Sequence, residues 1–249
     1  MHLLSPGPTV DDAALEDLYA YPSELTSPFV QVNFVASADG AATVSGRSHG
    51  LSSPADKKVF ALGRDLADVV LVGAGTALAE EYGPIKQTEL RASRRSRLGL
   101  SEVPPIAVVT ARGSVPPSSP LVTATSVPLI VITAESSSLA WRKEMADAGA
   151  DVVVAGDERV DVELALSALG DRGLLRVCCE GGPTLFADLI AAGLVDQLCL
   201  TVSPLLTGGG AVRIATGLPA SAPMDLSLAS VLSDEGFLML RYRRAARSE

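Results

Sequence analysis

Short apolar runs alternate with amphipathic stretches from Phe29 to Ala192, and the alternation predicts strand, helix and strand in turn. The run Val69-Val70-Leu71-Val72-Gly73 is apolar at each of its first four positions and β-branched at Val69, Val70 and Val72. That pattern belongs to a strand buried on both faces, as in a parallel sheet. Further strands are expected at Phe29 to Ala36, Ile106 to Thr110, Leu129 to Thr133, Val152 to Ala155 and Leu174 to Cys179. Between them, Ser53 followed by Pro54 marks a helix start, and Val59, Leu62 and Leu66 recur at helical spacing before Asp68 ends the helix. Helices are also expected near Ser137 to Ala148, through Glu163 to Leu169, and from Phe186 to Ala192.

After Ala192 the alternation stops. Val195 to Ser203, Val212 to Ala215, Leu226 to Leu232 and Phe237 to Arg243 read as strands with no helical interval, and Ser233-Asp234-Glu235-Gly236 reads as a hairpin turn. The fold class that follows is α/β: a mixed sheet, mostly parallel, with helices on both faces and a C-terminal antiparallel hairpin. No G-x-G-x-x-G follows the first long strand, so the simple dinucleotide-binding fold is not indicated. Residues 1–28, rich in proline around the acidic stretch Asp11 to Asp17, are expected to form an N-terminal arm, with a single domain over 29–249. Glu81 to Pro105 shows no periodicity. It is expected to be a long loop that exposes the cluster Arg91, Arg94, Arg95 and Arg97.

A net charge of -9 argues against a nucleic-acid surface. Cys178, Cys179 and Cys199 sit in apolar runs without metal-binding spacing, and His2 and His49 are isolated, so buried reduced thiols and no metal site are expected. The chain has neither an apolar run of membrane-spanning length nor a basic-then-apolar leader, and a cytoplasmic location is the expectation.

The chemistry concentrates in Glu180-Gly181-Gly182-Pro183-Thr184-Leu185. A strand enters a helix here through two glycines. Glycine lets a ligand approach the backbone, and unpaired N–H groups at a helix start attract an anion. Pro183 fits the first turn without wasting a donor. A turn shaped by glycine for geometry alone is the competing reading. Glu180 weighs against it, because a carboxylate at a buried strand end needs a partner or a polar ligand.

In sequence order, Ala36-Ser37-Ala38-Asp39-Gly40, Gly46-Arg47-Ser48, the stretch Arg64 to Thr76, Glu180 to Leu185 and Ser203 to Gly209 together resemble the reductase domain of riboflavin biosynthesis. That domain is dihydrofolate-reductase-like and is often fused behind a pyrimidine deaminase. The zinc signature of the deaminase is absent, so the resemblance is to a stand-alone form. It implies NADPH-dependent reduction of the ribosyl group of 5-amino-6-ribosylaminouracil 5′-phosphate to the ribityl product, and a homodimer paired through the terminal strands. It also implies cofactor contacts from Gly50, Thr76, Glu80, Gly181, Gly182, Pro183, Thr184 and Leu185, and substrate contacts from Ser48, Arg64 and Glu180. Asn33 and Asp39 join Glu180 as catalytic candidates, although Asp39 reads equally as a turn residue. Thr110 and Arg112, at the end of the Ile106 strand, are placed beside the cofactor, with Arg112 suited to a 2′-phosphate.

Three departures from the family pattern stand out. Asn33 replaces a typical lysine, Gly50 replaces an aromatic, and the usual Asp-Asp-Pro-x-Leu-Thr-x-Arg is here Glu80-Glu81-Tyr82-Gly83-Pro84-Ile85-Lys86-Gln87. Lys86 becomes the nearest cation of that loop. Two other functions stay open on this reading: a dihydrofolate or pterin reductase on the same fold, and a weakly catalytic NADPH-binding regulatory protein. His49 as a proton donor and Trp141 as a cofactor-stacking ring are weaker readings than exposure and packing.

Overall fold

A computed structural model describes residues 7–217 and 223–245. The strands are β1 (Phe29–Ser37), β2 (Val69–Gly73), β3 (Ile106–Val109), β4 (Ile130–Thr133), β5 (Asp151–Val154), β6 (Arg176–Cys179), β7 (Gln197–Ser203), β8 (Leu226–Asp234) and β9 (Phe237–Arg244). They form one sheet in the order β5-β4-β3-β2-β6-β1-β7-β9-β8. β1 to β7 are mutually parallel, and β9 runs antiparallel to both β7 and β8. The expected mixed sheet with a C-terminal hairpin is therefore present. Its turn, Glu235-Gly236, has positive φ at both residues, as tight hairpins require.

The helices are α1 (Asp12–Tyr19), α2 (Pro54–Leu66), α3 (Ala74–Ala79), α4 (Glu89–Arg97), α5 (Pro120–Thr123), α6 (Leu139–Asp147), α7 (Val162–Gly170) and α8 (Pro183–Ala191). Strand pleating divides their cores. Val69 and Leu71 pack with α7 and α8 on one face, while Val70 and Val72 pack with α3, α5 and α6 on the other. A third cluster joins Leu15 and Tyr19 of α1 to Val59, Leu62 and Leu66 of α2, with Cys199 and Met239 of the sheet. All three cysteines are free and buried, as expected.

The arginine-rich segment differs from the expected loop. It contains α4, capped by the Thr88 side chain, and its arginines are committed to structure. Arg91 and Arg94 converge on the buried Asp65 at 2.6 Å each, and Arg94 and Arg97 reach Glu16 of α1. Arg95 is fully buried and donates to the carbonyl oxygens of Arg64, Asp65 and Ala67, which the end of α2 leaves without helical partners. The segment lacks apolar periodicity because ion pairs, not an apolar stripe, attach it. Val212 to Ala215 is likewise no strand. It lies in the connection between β7 and β8, where the Val212 carbonyl accepts from Ala42 N–H.

β6 lies between β1 and β2, so the chain changes direction across the sheet at the carboxyl ends of these strands. Crevices for ligands open at such positions. The residues of the glycine motif occupy this one.

Candidate active site

The motif is held by β2 and by side chains beneath it. Glu180 N–H donates to Leu71 O at 2.9 Å, and Gly73 N–H donates to Gly181 O at 2.7 Å. Gly181 has φ +86°, and a Cβ there would stand 2.7 Å from the Phe34 ring. A Cβ on Gly182 would collide with Thr76 Oγ1. Both glycines are thus demanded by close approach as well as by backbone shape. The Gly181–Gly182 peptide is cis. α8 then begins at Pro183 with Gly182 as its N-cap and no side chain capping its first turn.

Two cavities meet at this turn. One, of about 620 Å³, is lined by Gly73 to Thr76, Thr110, Arg112 and Gly182 to Leu185. Its wall is glycine backbone and an uncapped helix start, which suits an anionic bridging group. The other, of about 420 Å³, lies between β1 and α2 and is lined by Asn33, Ser48, Arg64, Glu80, Tyr82 and Glu180, among others. Thr76 and Pro183 line both.

The floor of the smaller cavity is polar and preorganised. Arg64 forks onto Glu180, with Nε to Oε1 at 2.6 Å and Nη2 to Oε2 at 2.7 Å, and the Tyr82 hydroxyl donates to Oε2 at 2.6 Å. The Glu180 side chain is 1% exposed. The Arg64 guanidinium lies 4.6 Å from the Phe60 ring centroid and 5.3 Å from that of Tyr82. Burial alone would lower the Arg64 pKa, but Glu180 outweighs it and raises the value. Burial, reinforced by Glu180, holds the Tyr82 phenol well above its ordinary pKa, so Tyr82 is a hydrogen-bond donor here. The Asn33 amide has no side-chain partner among the described residues and lines this cavity.

Most of the residues expected at the site are brought together. Asn33, Ser48, Arg64, Thr76, Glu80 and Glu180 share the smaller cavity, and Thr76, Thr110, Arg112 and Gly182 to Leu185 share the larger. Glu80, expected beside the cofactor, lines the α2 side and accepts from Ser48 N–H at 2.7 Å. Gly50 lines neither cavity; Val44 packs where its Cβ would point. Asp39 also lines neither. Its carboxylate accepts from the Ser37 hydroxyl and from Thr207 and Gly208 N–H, at 3.0 and 2.7 Å, and these bonds, Ser37 foremost, lower its pKa. It anchors the 207–208 turn to the end of β1. Trp141 packs against Gly113 and donates to Val115 O at 2.9 Å, away from both cavities. Lys86 lines neither cavity, and Gln87 pairs with Glu102.

Sequence reasoning missed Tyr82, Phe60 and Lys57. Tyr82 comes from a connection without periodicity, so nothing local aimed it at Glu180. Lys57, Phe60 and Arg64 do share one face of α2 at i, i+3 and i+7, a spacing that could have grouped them.

An open, mainly parallel sheet with an antiparallel edge, and two cavities joined at a glycine turn, define a protein of the dihydrofolate-reductase-like class. Dihydrofolate reductase from Enterococcus faecalis shares the fold at TM-score 0.50 and 14% identity, over 88% of this chain and 97% of that one. The chain belongs to the RibD C-terminal domain family, whose model matches residues 28–237. It is 31% identical over 186 residues to a protein of Archaeoglobus fulgidus named 2,5-diamino-6-ribosylamino-4(3H)-pyrimidinone 5′-phosphate reductase, covering 73% of this chain and 83% of that one. A pyrimidine reductase-like protein from Corynebacterium diphtheriae superposes at TM-score 0.80 with 27% identity, over 88% of this chain and 92% of its own.

Proposed function

We infer that this chain is an NADPH-dependent reductase that converts the ribosyl group of a 5-amino-6-ribosylaminopyrimidine 5′-phosphate to a ribityl chain. One observation carries the reading: the glycine turn separates two cavities that share Thr76 and Pro183, with Glu180 facing the second. The larger cavity suits the pyrophosphate of a dinucleotide, and NADPH supplies the hydride when bound. Gly182 and the first turn of α8 present backbone to that pyrophosphate, while Arg112, with no carboxylate partner among the described residues, is available to a 2′-phosphate.

In the smaller cavity Glu180, immobilised by Arg64 and Tyr82, accepts from hydroxyl or N–H groups of the substrate. Asn33 offers a neutral amide to a carbonyl or hydroxyl. Catalysis on this reading is mainly positioning: the site aligns two ligands across the shared wall and asks little covalent chemistry of its side chains. The expected homodimer belongs to the same proposal, and β8, an outer strand exposing Leu226 and Leu228, is the edge such pairing would use.

The test is NADPH oxidation by the purified protein with 5-amino-6-ribosylaminouracil 5′-phosphate, with its 2,5-diaminopyrimidinone counterpart, and with dihydrofolate. Turnover of either ribosylaminopyrimidine is expected, and the ratio between the two identifies the base. Turnover of dihydrofolate alone would overturn the reading, and NADPH binding without turnover of any would favour a regulatory protein.

A further inference from the structure

We propose that Lys57 anchors the 5′-phosphate of the substrate at the end of the smaller cavity remote from Glu180. The proposal rests on the function inferred above and names a residue for the part of the substrate that the described contacts leave unserved. A phosphate needs a cation with capacity to spare, and the cations around this cavity differ sharply in that respect. Arg64 is forked onto Glu180, and Arg47, next in sequence to the lining residue Ser48, is bound to Glu81 at 2.8 Å. Lys58, the neighbour of Lys57 on α2, is tied to Asp12. Lys57 lines the cavity, is exposed, and has no carboxylate within ion-pair distance among the described residues.

The acids nearby are also accounted for. Glu80 accepts from Ser48 N–H, Glu81 from Arg47, and Asp56 from the Ser52 hydroxyl. None of them neutralises Lys57. The connection that follows α3 offers no replacement, because Gln87 bonds Glu102 and Lys86 does not line the cavity.

Distance supports the same assignment. Lys57 and Arg64 are seven residues apart on one helix face, which at about 1.5 Å per residue places them about 10 Å apart along the axis of α2. An open ribosyl chain with a terminal phosphate spans comparable ground. With the base against Glu180 and Arg64, the phosphate reaches Lys57, and Phe60 lies between them on the same face.

The experiment compares wild type, Lys57→Ala and Lys57→Arg on the phosphorylated pyrimidine and on its dephosphorylated form. Lys57→Ala is expected to reduce the preference for the phosphorylated form, measured as a ratio of kcat/KM values, about tenfold or more, and Lys57→Arg to keep most of it. An unchanged ratio in Lys57→Ala would overturn the anchor, as would an equal loss on both forms. If no pyrimidine is reduced by any variant, the functional reading fails separately. Calorimetry with ribose 5-phosphate and ribose then decides the anchor: a wild-type preference for the phosphate that Lys57→Ala loses supports it, while no preference, or one that survives the substitution, refutes it.

Discussion

Arg64 and Glu180, separated by more than a hundred residues, meet as a two-pronged ion pair beneath the smaller cavity, and Tyr82 completes the cluster from a third segment. Removing Arg64 as Arg64→Ala leaves a buried carboxylate with only the Tyr82 hydroxyl. The expected loss is about 3 kcal/mol in urea unfolding. Glu180→Gln preserves shape and is expected to raise KM for the pyrimidine at least tenfold while KM for NADPH changes little. A larger effect on NADPH would place Glu180 in the wrong cavity.

Tyr82→Phe removes one hydrogen bond to a buried carboxylate and nothing from the wall. Loss of stability by about 2 kcal/mol is expected, with a weaker grip on the pyrimidine than on the cofactor. Thermal unfolding and the two KM values measure these separately.

Gly182→Ala drives a methyl group into Thr76 Oγ1, and cofactor affinity is expected to fall by at least tenfold. Adding Thr76→Ala removes that oxygen, leaving the nearest contact at the Thr76 Cβ position, 3.4 Å away. The double variant is therefore expected to bind NADPH better than Gly182→Ala alone. Titration of the cofactor's fluorescence reads the difference, and additive losses would count against a steric origin.

Stability is expected to fall as pH rises past about 9. Burial raises Cys179 and Cys199 to about 12 from an ordinary 9.0 and holds Cys178 well above it. It also raises Tyr19, Tyr21 and Tyr82 above their ordinary 10.0. Between the ordinary and raised values the unfolded chain has released protons that the folded chain retains, so unfolding is favoured as pH increases. Urea midpoints measured from pH 8 to 11 should decline steadily. A flat profile would mean these groups titrate alike in both states.

Arg95→Ala strips donors from three carbonyl groups at the end of α2 and empties a buried site. A loss of about 3 kcal/mol or more is expected by urea unfolding. Because α2 carries Lys57, Phe60 and Arg64, the variant should also bind the pyrimidine less tightly. Unaltered stability would show that the Arg95 contacts are dispensable.

Much of the fold was legible because β2, β3 and β4 are almost wholly apolar runs and α2 and α7 carry apolar residues at helical spacing. Val69 to Gly73 and the Ser53-Pro54 helix start declared themselves locally. α4 did not, since a helix attached through Arg91, Arg94 and Arg95 has no apolar stripe to read. At the site, the glycine turn and Glu180 were visible because glycine pairs and buried charge carry a local cost. Asp39 was misleading as a catalytic candidate: a carboxylate at a turn serves the 207–208 backbone as readily as a ligand. Tyr82 was invisible because its partner, Glu180, lies just past the end of β6, 98 residues away.

Thr76 belongs to the walls of both cavities, so on the function inferred above the two binding equilibria share a side chain. Thermodynamic reciprocity then requires that the factor by which cofactor alters pyrimidine affinity equal the factor by which pyrimidine alters cofactor affinity. On the function inferred above, a single hydroxyl-bearing side chain in the first turn of α3 would in this way couple the two halves of the site.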